Sequence, residues 1–229
     1  FIPILHGPMG EDATVQGLLE LAGAAYVRAG VTGSAVGMDK DMMKKVFQAA
    51  GLPTARHMTI RRKEWEQDPE GSAAKIGATI GFPCFVKPVA LGSSVGVSMV
   101  REEGELARAM ELAGKYHHRI LVEMSAAPCQ EVECAVLGNE SPKASIPGEI
   151  VPGNQFYDYR AKYIDDNSQL IIPARLSPEV EAKVKELAIR AFQAIDCMGM
   201  ARVDFFVRPD GSILVNEINT ITGFTRISM

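Results

Sequence analysis

The chain has 229 residues, with 24 Lys and Arg against 28 Asp and Glu, for a formal charge of −4. That length supports one large or two small domains with a true core, and 47% apolar and 23% charged residues are ordinary for a soluble globular protein. No uncharged apolar run approaches the roughly 18 residues of a membrane span, and the mild acidity argues against a nucleic-acid protein held by net charge. Four cysteines (Cys84, Cys129, Cys134, Cys197) form no CxxC pair and are too few for a disulfide framework, so a reduced, cytoplasmic protein is expected.

In chain order, Phe1-Ile2-Pro3-Ile4-Leu5 reads as an apolar strand-like run. It has no initiator Met or signal segment before it, and the stretch is read as the middle of a longer protein. A helix is expected over Asp12 to Ala24, where Val15, Leu18, Leu19 and Ala22 fall at helical spacing. Asp39 is placed to cap a second helix through Met42, Met43, Val46 and Phe47, stopped at Gly51-Leu52-Pro53. Next come a strand at Ala55 to Ile60, a helix at Ser72 to Ile80, and a strand, Cys84-Phe85-Val86-Lys87, that enters a glycine-rich loop. A strand near Val97 to Val100, a helix from Glu102 to Tyr116, and strands at Ile120–Glu123 and Glu131–Leu137 follow. Residues 152–167 have no period and are rich in Gly, Asn and Asp, but also carry three Tyr and a Phe, which favours a functional lid over plain disorder. The last elements are a helix from Pro178 to Ile195 and two strands, Met200–Val207 and Ile213–Asn219, joined by Pro209-Asp210-Gly211. Hairpins mixed with helices predict an α+β layout.

The last hairpin carries the strongest chemical signal. Side chains alternate along a strand, so Arg202 and Asp204 share one face while Glu217 and Asn219 share a face of the partner strand. Val203, Phe205, Val215 and Ile218 are left for the core. Opposed carboxylates repel unless a cation lies between them. Two carboxylates and an amide oxygen, with no His or Cys, suit Mg²⁺; the alternative is a solvated polar face with Arg202 neutralising the acids.

The second signal is Lys87 followed by Pro88-Val89-Ala90-Leu91-Gly92-Ser93-Ser94-Val95-Gly96. Its backbone N–H groups and two hydroxyls suit phosphate oxygens, although a flexible hairpin turn explains the same residues. Alone, Lys40 reads as a surface lysine at a helix start, and Glu123 as a strand-end carboxylate facing either ribose or adenine groups or water. Glu131 and Glu133 alternate with Val132 and Cys134 as on any half-buried strand, Lys162 and Tyr163 lie in the lid stretch, and His6 and Glu11 stand before the first helix.

Together these pieces resemble the D-alanine–D-alanine ligases of the ATP-grasp superfamily. The resemblance rests on motifs in family order: HGPMGEDATVQG (6–17), MDK (38–40), VKPVALGSSVGV (86–97), EVECAVLG (131–138), YDYRAKY (157–163), ARVD (201–204) and NEINTITGFT (216–225). It implies an ATP-grasp fold of two α+β subdomains gripping ATP. Residues 1–38 would end a preceding N-terminal substrate domain that lies outside this chain. Residues 39–125 would form the central subdomain with the Gly/Ser loop, and 126–229 the C-terminal subdomain with the metal site and a lid at 149–167.

The resemblance also implies site roles. Lys40, Lys87, Ser93, Ser94 and Lys162 would hold the ATP phosphates, with Glu123 and Glu131 on adenine and ribose. One extra residue between those two glutamates leaves Glu133 as the alternative to Glu131. Asp204, Glu217 and Asn219 would hold two Mg²⁺, or Mn²⁺. Arg202 and the Gly223 backbone would steady the developing oxyanion, Ser228 the second substrate's carboxylate, and His6 and Glu11 the substrate side, with Ser93 and Tyr163 in a hydrogen-bond relay.

The implied reaction joins two D-alanines through an acyl phosphate for peptidoglycan synthesis, in a cytoplasmic homodimer acting on small molecules alone. D-serine or D-lactate as second substrate, or a non-catalytic nucleotide-binding remnant, are the alternatives. The YDYRAKY lid resembles the D-alanine-adding type. Arg160 and Thr222 depart from the family pattern, and residues 1–229 alone are expected to bind ATP with little or no ligation.

Overall fold

The computed structural model describes residues 1–2, 5, 7–151 and 169–221. Its elements are α1 (Thr14–Leu21), α2 (Val31–Met38), α3 (Lys40–Ala49), β1 (His57–Arg61), α4 (Arg62–Gln67), α5 (Pro69–Thr79), β2 (Cys84–Pro88) and β3 (Ser98–Val100). A 3₁₀ turn (Glu103–Glu105) then leads into α6 (Leu106–Tyr116), β4 (Arg119–Met124), β5 (Gln130–Gly138), β6 (Lys143–Ala144), β7 (Gly148–Val151), β8 (Gln169–Ile171), α7 (Pro178–Ala194), β9 (Gly199–Val207) and β10 (Ile213–Asn219).

Two antiparallel sheets organise the chain. The first has four strands in the order β1-β4-β2-β3; the second has six, in the order β10-β9-β5-β7-β8 with β6 beside β5. Each has its own apolar cluster. Ile60, Trp65, Ile76, Val86, Met110, Ile120 and Val122 pack α4, α5 and α6 on the first sheet. Val132, Val203, Phe205, Val215 and Ile218 pack under α3 and α7, with Met43, Phe47, Leu187 and Phe192 from the helices.

Sequence dictates several of these elements directly. Asp39 caps α3, its carboxylate accepting the Met42 N–H at 3.0 Å. Asp68 caps α5 the same way through the Gly71 N–H at 2.9 Å, with Pro69 in the first turn where its missing donor costs nothing. Ser177 and Pro178 repeat the arrangement at α7.

Other expectations are corrected. Phe1, Ile2 and Leu5 lie in no strand, although Phe1 bonds to Ala25 and Val27 through its backbone. The first helix is shorter than its period suggests, and Leu18 and Leu21 on it are largely exposed. In α3 the inward side is Asp41, Met43, Lys44 and Phe47, while Met42 faces out. The stretch from 149 is not loop at its start, because Gly148–Val151 is a buried strand on β5. Helix α2, with β-branched residues and two glycines, gives a weak sequence signal. Its glycines are contact surfaces: a Cβ on Gly37 would stand 2.9 Å from Thr220 Cγ2, and one on Gly33 3.1 Å from the Ile195 carbonyl.

Candidate active site

Between the two sheets lies a cleft of about 500 Å³. Lys40, Lys87, the Leu91–Ser94 stretch and Glu123 line one side; Glu131, Glu149, Phe206, Asn216 and Glu217 line the other.

On the first sheet, β2 alternates so that Cys84, Val86 and Pro88 are buried while Phe85 and Lys87 turn to the cleft. Phe85 pairs with Glu123 and Lys87 with Leu121, which makes Lys87 and Glu123 diagonal neighbours on one face. Glu123 is enclosed: Lys87 Nζ pairs with its Oε2 and Lys44 Nζ with its Oε1. Burial alone would raise the Glu123 pKa, but the two ammonium groups outweigh it and pull the value down to about 2. The carboxylate is therefore ionised at any physiological pH.

Lys40 is no surface lysine. From the first turn of α3 it donates to the Leu91 carbonyl at 2.9 Å and reaches Glu217 Oε2 at 3.4 Å, with only 13% of its side chain exposed. Behind it, Arg119 ties Asp39 and Asp41 to β4. The Gly92–Val95 turn closes through the Val95 N–H on the Gly92 carbonyl at 3.3 Å, with Ser93 and Ser94 at φ 55° and 57°. Left-handed backbone at two non-glycine residues is costly, and such strain gathers at ligand loops. A Cβ on Gly92 would lie 3.8 Å from Glu11 Oε2, so Glu11 stands beside this loop, held by the Gly7 N–H at 2.8 Å.

On the second sheet, Val203, Phe205, Val215 and Ile218 are buried, and Arg202 and Asp204 lie on the opposite, half-buried face, the face of Phe206, which lines the cleft. Val215 and Ile218 cannot share a face in a regular strand. The register solves this: Val215 pairs with Phe205 and Glu217 with Asp204, leaving Asn216 as an extra bulge residue. The bulge turns Glu217 and Asn219 onto the side of Asp204. Glu133 on β5 also lies opposite Asp204.

Arg202 sits among these acids. Its Nε and Nη2 grip Asp204 at 2.7 and 2.8 Å, Nε reaches Glu133 Oε2 at 3.1 Å, and Asn219 Nδ2 donates to Asp204 Oδ2 at 2.9 Å. Burial disfavours the guanidinium charge, but Asp204, Glu133 and Glu217 override it and raise the Arg202 pKa. Among the described residues no three His, Cys, Asp or Glu side chains stand as a metal-holding group. The oxygen donors of Asp204, Glu217 and Asn219 nonetheless share one face at neighbouring cross-strand positions, which fits a hard divalent cation.

The geometry gathers Lys40, Lys87, Ser93, Ser94, Glu123 and Glu131 around one cleft, with Asp204, Glu217 and Asn219 together on its second sheet. It places Glu133 with Arg202 instead of at the position of Glu131. His6, Lys162, Tyr163, Gly223 and Ser228 lie outside the described residues, as do Arg160 and Thr222. Sequence reasoning missed Lys44, which shares an inward helix stripe with Lys40 and Phe47 at spacings of four and three. It also missed Glu149, buried on β7 and gripped by Arg175 at 2.6 and 2.9 Å, which lowers its pKa.

Two antiparallel sheets with helices on their outer faces, holding lysines and acids across a shared cleft, define an ATP-grasp fold. Structures similar over the whole chain bear this out: a D-alanine–D-alanine ligase from Coxiella burnetii (TM-score 0.87, 42% identity, 60% of that chain covered) and the VanG D-Ala:D-Ser ligase from Enterococcus faecalis (0.89, 39%, 65%). Residues 46–229 match the family described as D-ala D-ala ligase C-terminus. The chain belongs to this D-alanine–D-alanine ligase family. Curated D-alanine–D-alanine ligases from Bacillus velezensis and Thermoanaerobacter pseudethanolicus are 50% and 53% identical across 99% of the chain, which covers 64% and 63% of their lengths. The chain thus spans less than two thirds of these relatives. Among the described residues no helix is long and apolar enough to cross a membrane.

Proposed function

We propose that this chain supplies the nucleotide- and metal-holding part of an ATP-dependent ligase that joins two D-alanines for peptidoglycan synthesis. The observation that carries the reading is the division of charge across one cleft, with Lys87 of β2, Lys40 of α3 and a strained Ser/Gly turn on one side and clustered acids on the second sheet. Phosphoryl transfer needs positioning and charge neutralisation more than a reactive side chain, and this cleft offers both.

Lys40 and Lys87 would draw the phosphates to the Gly92-Ser93-Ser94 turn, with Glu123 and Glu131 on the adenosine side. Asp204, Glu217 and Asn219 would hold two Mg²⁺ ions, or Mn²⁺, whose positive charge offsets that of the phosphates when bound. Arg202 would steady the oxyanion as the second amine attacks the acyl phosphate. His6, Glu11, Ser93, Tyr163, Gly223 and Ser228 are proposed on the substrate side, with Lys162 as the lid lysine. The proposed division at 125/126 is supported by the two separate apolar clusters, although α3, on the central-subdomain side of the 38/39 boundary, contributes Met43 and Phe47 to the cluster of the second sheet. A cytoplasmic homodimer acting on small molecules completes the reading.

The similarity to a D-Ala:D-Ser ligase keeps D-serine as a second reading. The test supplies Mg-ATP with D-alanine, D-serine and D-lactate to the complete protein carrying these residues, following ADP and product mass. ADP matched one to one by D-alanyl-D-alanine supports the proposal. A dominant mixed product replaces it with the second reading, and no amino-acid-dependent ADP overturns both.

A further inference from the structure

No sequence motif marks Lys44, and it lies behind the residues that line the cleft. Its side chain is 1% exposed, against 12% for Lys87, yet both ammonium groups are paired with the same carboxylate, Glu123. Lys44 also donates to the Asn216 carbonyl at 3.0 Å. One buried ammonium thus joins β4 of the first sheet to the bulge of the second.

Resting on the reading of the cleft as a nucleotide site, we propose that Lys44 is the permanent counter-ion of Glu123, so that Lys87 is free to exchange that carboxylate for an incoming phosphate. A buried carboxylate cannot lose its only cation without a large penalty. With Lys44 in place, Lys87 can move to the phosphate and leave a neutral Lys44–Glu123 pair behind. Without it, phosphate and Glu123 compete for one lysine. Lys44 touches no ligand in this scheme; it is a positioning residue, and its contact with Asn216 holds the two sheets at one spacing while Lys87 moves.

The test compares ATP with adenosine, which has no phosphate to draw Lys87 away. Calorimetric titrations give the ratio of the two affinities for the unaltered chain, for Lys44→Met, and for Lys44→Met combined with Glu123→Gln. Lys44→Met lowers the ratio by about tenfold or more, because only the phosphate part of binding is penalised. The double variant removes the stranded carboxylate and restores the ratio to within about threefold of the unaltered chain. A general packing role would weaken both ligands alike and gain nothing from the second substitution.

An unchanged ratio in Lys44→Met, or a double variant as impaired as the single one, overturns the proposal. Should Lys44→Met not fold, the double variant decides alone: a ratio within threefold of the unaltered chain supports the proposal, and a larger fall overturns it. If the unaltered chain binds neither ligand, the nucleotide reading itself fails. A failure of the Lys44 proposal alone leaves the preference of that chain for ATP intact.

Discussion

On β4 a single carboxylate, Glu123, is enclosed by the ammonium groups of Lys44 and Lys87, whereas on β5, β9 and β10 the carboxylates of Glu133, Asp204 and Glu217 gather near the guanidinium of Arg202. Around Glu123 the lysines of β2 and α3 outnumber the acid they enclose, whereas on the second sheet the clustered acids outnumber Arg202 among the described residues, with Lys40 reaching from α3 to Glu217. Burial differs as well. Glu123 is almost wholly enclosed, while Asp204 and Glu217 keep 15% and 24% of their side chains accessible. A carboxylate that must stay ionised in the dry needs its cations built in. On the proposed reading the second-sheet carboxylates would receive a cation, and their greater exposure leaves them open to one.

The comparison breaks first at Glu123. Glu123→Gln leaves two lysines without their shared anion and is expected to cost about 3–5 kcal/mol of stability, the usual penalty for breaking a buried pair from one side, as read by chemical denaturation. The same ion pairs set a pH signature. Because the folded pKa of Glu123 is depressed to about 2, its contribution is complete above the ordinary carboxylate pKa of about 4.5 and is lost as pH falls from there toward 2. The stability gap between the unaltered chain and Glu123→Gln therefore closes over that window.

On the second sheet the larger effect is on activity. Asp204→Asn removes one of the carboxylates proposed to hold the metal, and turnover in the complete protein falls by at least about 100-fold, with a much smaller loss of stability. Arg202→Lys keeps the charge and loses the two-pronged grip on Asp204; kcat falls by about tenfold while KM for ATP stays within about threefold. The smallest change is in the turn that faces both sheets. Ser94→Gly relieves a left-handed residue and raises the unfolding free energy by about 0.5–1 kcal/mol.

Much of this was legible in the residues. The cap at Asp39, the alternation along β9 and the Pro-Asp-Gly turn fix their elements locally; the helix expected from Ser72 starts instead at Pro69, where Asp68 caps it. The acid face was readable too, but not the irregularity that makes it: Val215 and Ile218 share a core face because Asn216 is an extra residue between them, and the strand pairing reveals it. What escaped depends on distant partners. Lys44 looks like any helix lysine until β4 brings Glu123 to it, 79 positions along the chain. Helix α2 has poor propensity and exists because its glycines admit Thr220 and the end of α7. Glu149 was read as loop because Arg175, which fixes it, lies beyond the stretch rich in Gly and Asp.

The most direct test of the divided cleft is a titration of ATP into the unaltered chain and into Asp204→Asn, each with Mg²⁺ and with a chelator. If the first sheet takes the phosphates and the second the metal, Mg²⁺ tightens ATP binding to the unaltered chain by about tenfold or more and changes little in the variant. Equal tightening in both would mean that the metal does not use the second sheet, and the division of labour across the cleft would be wrong.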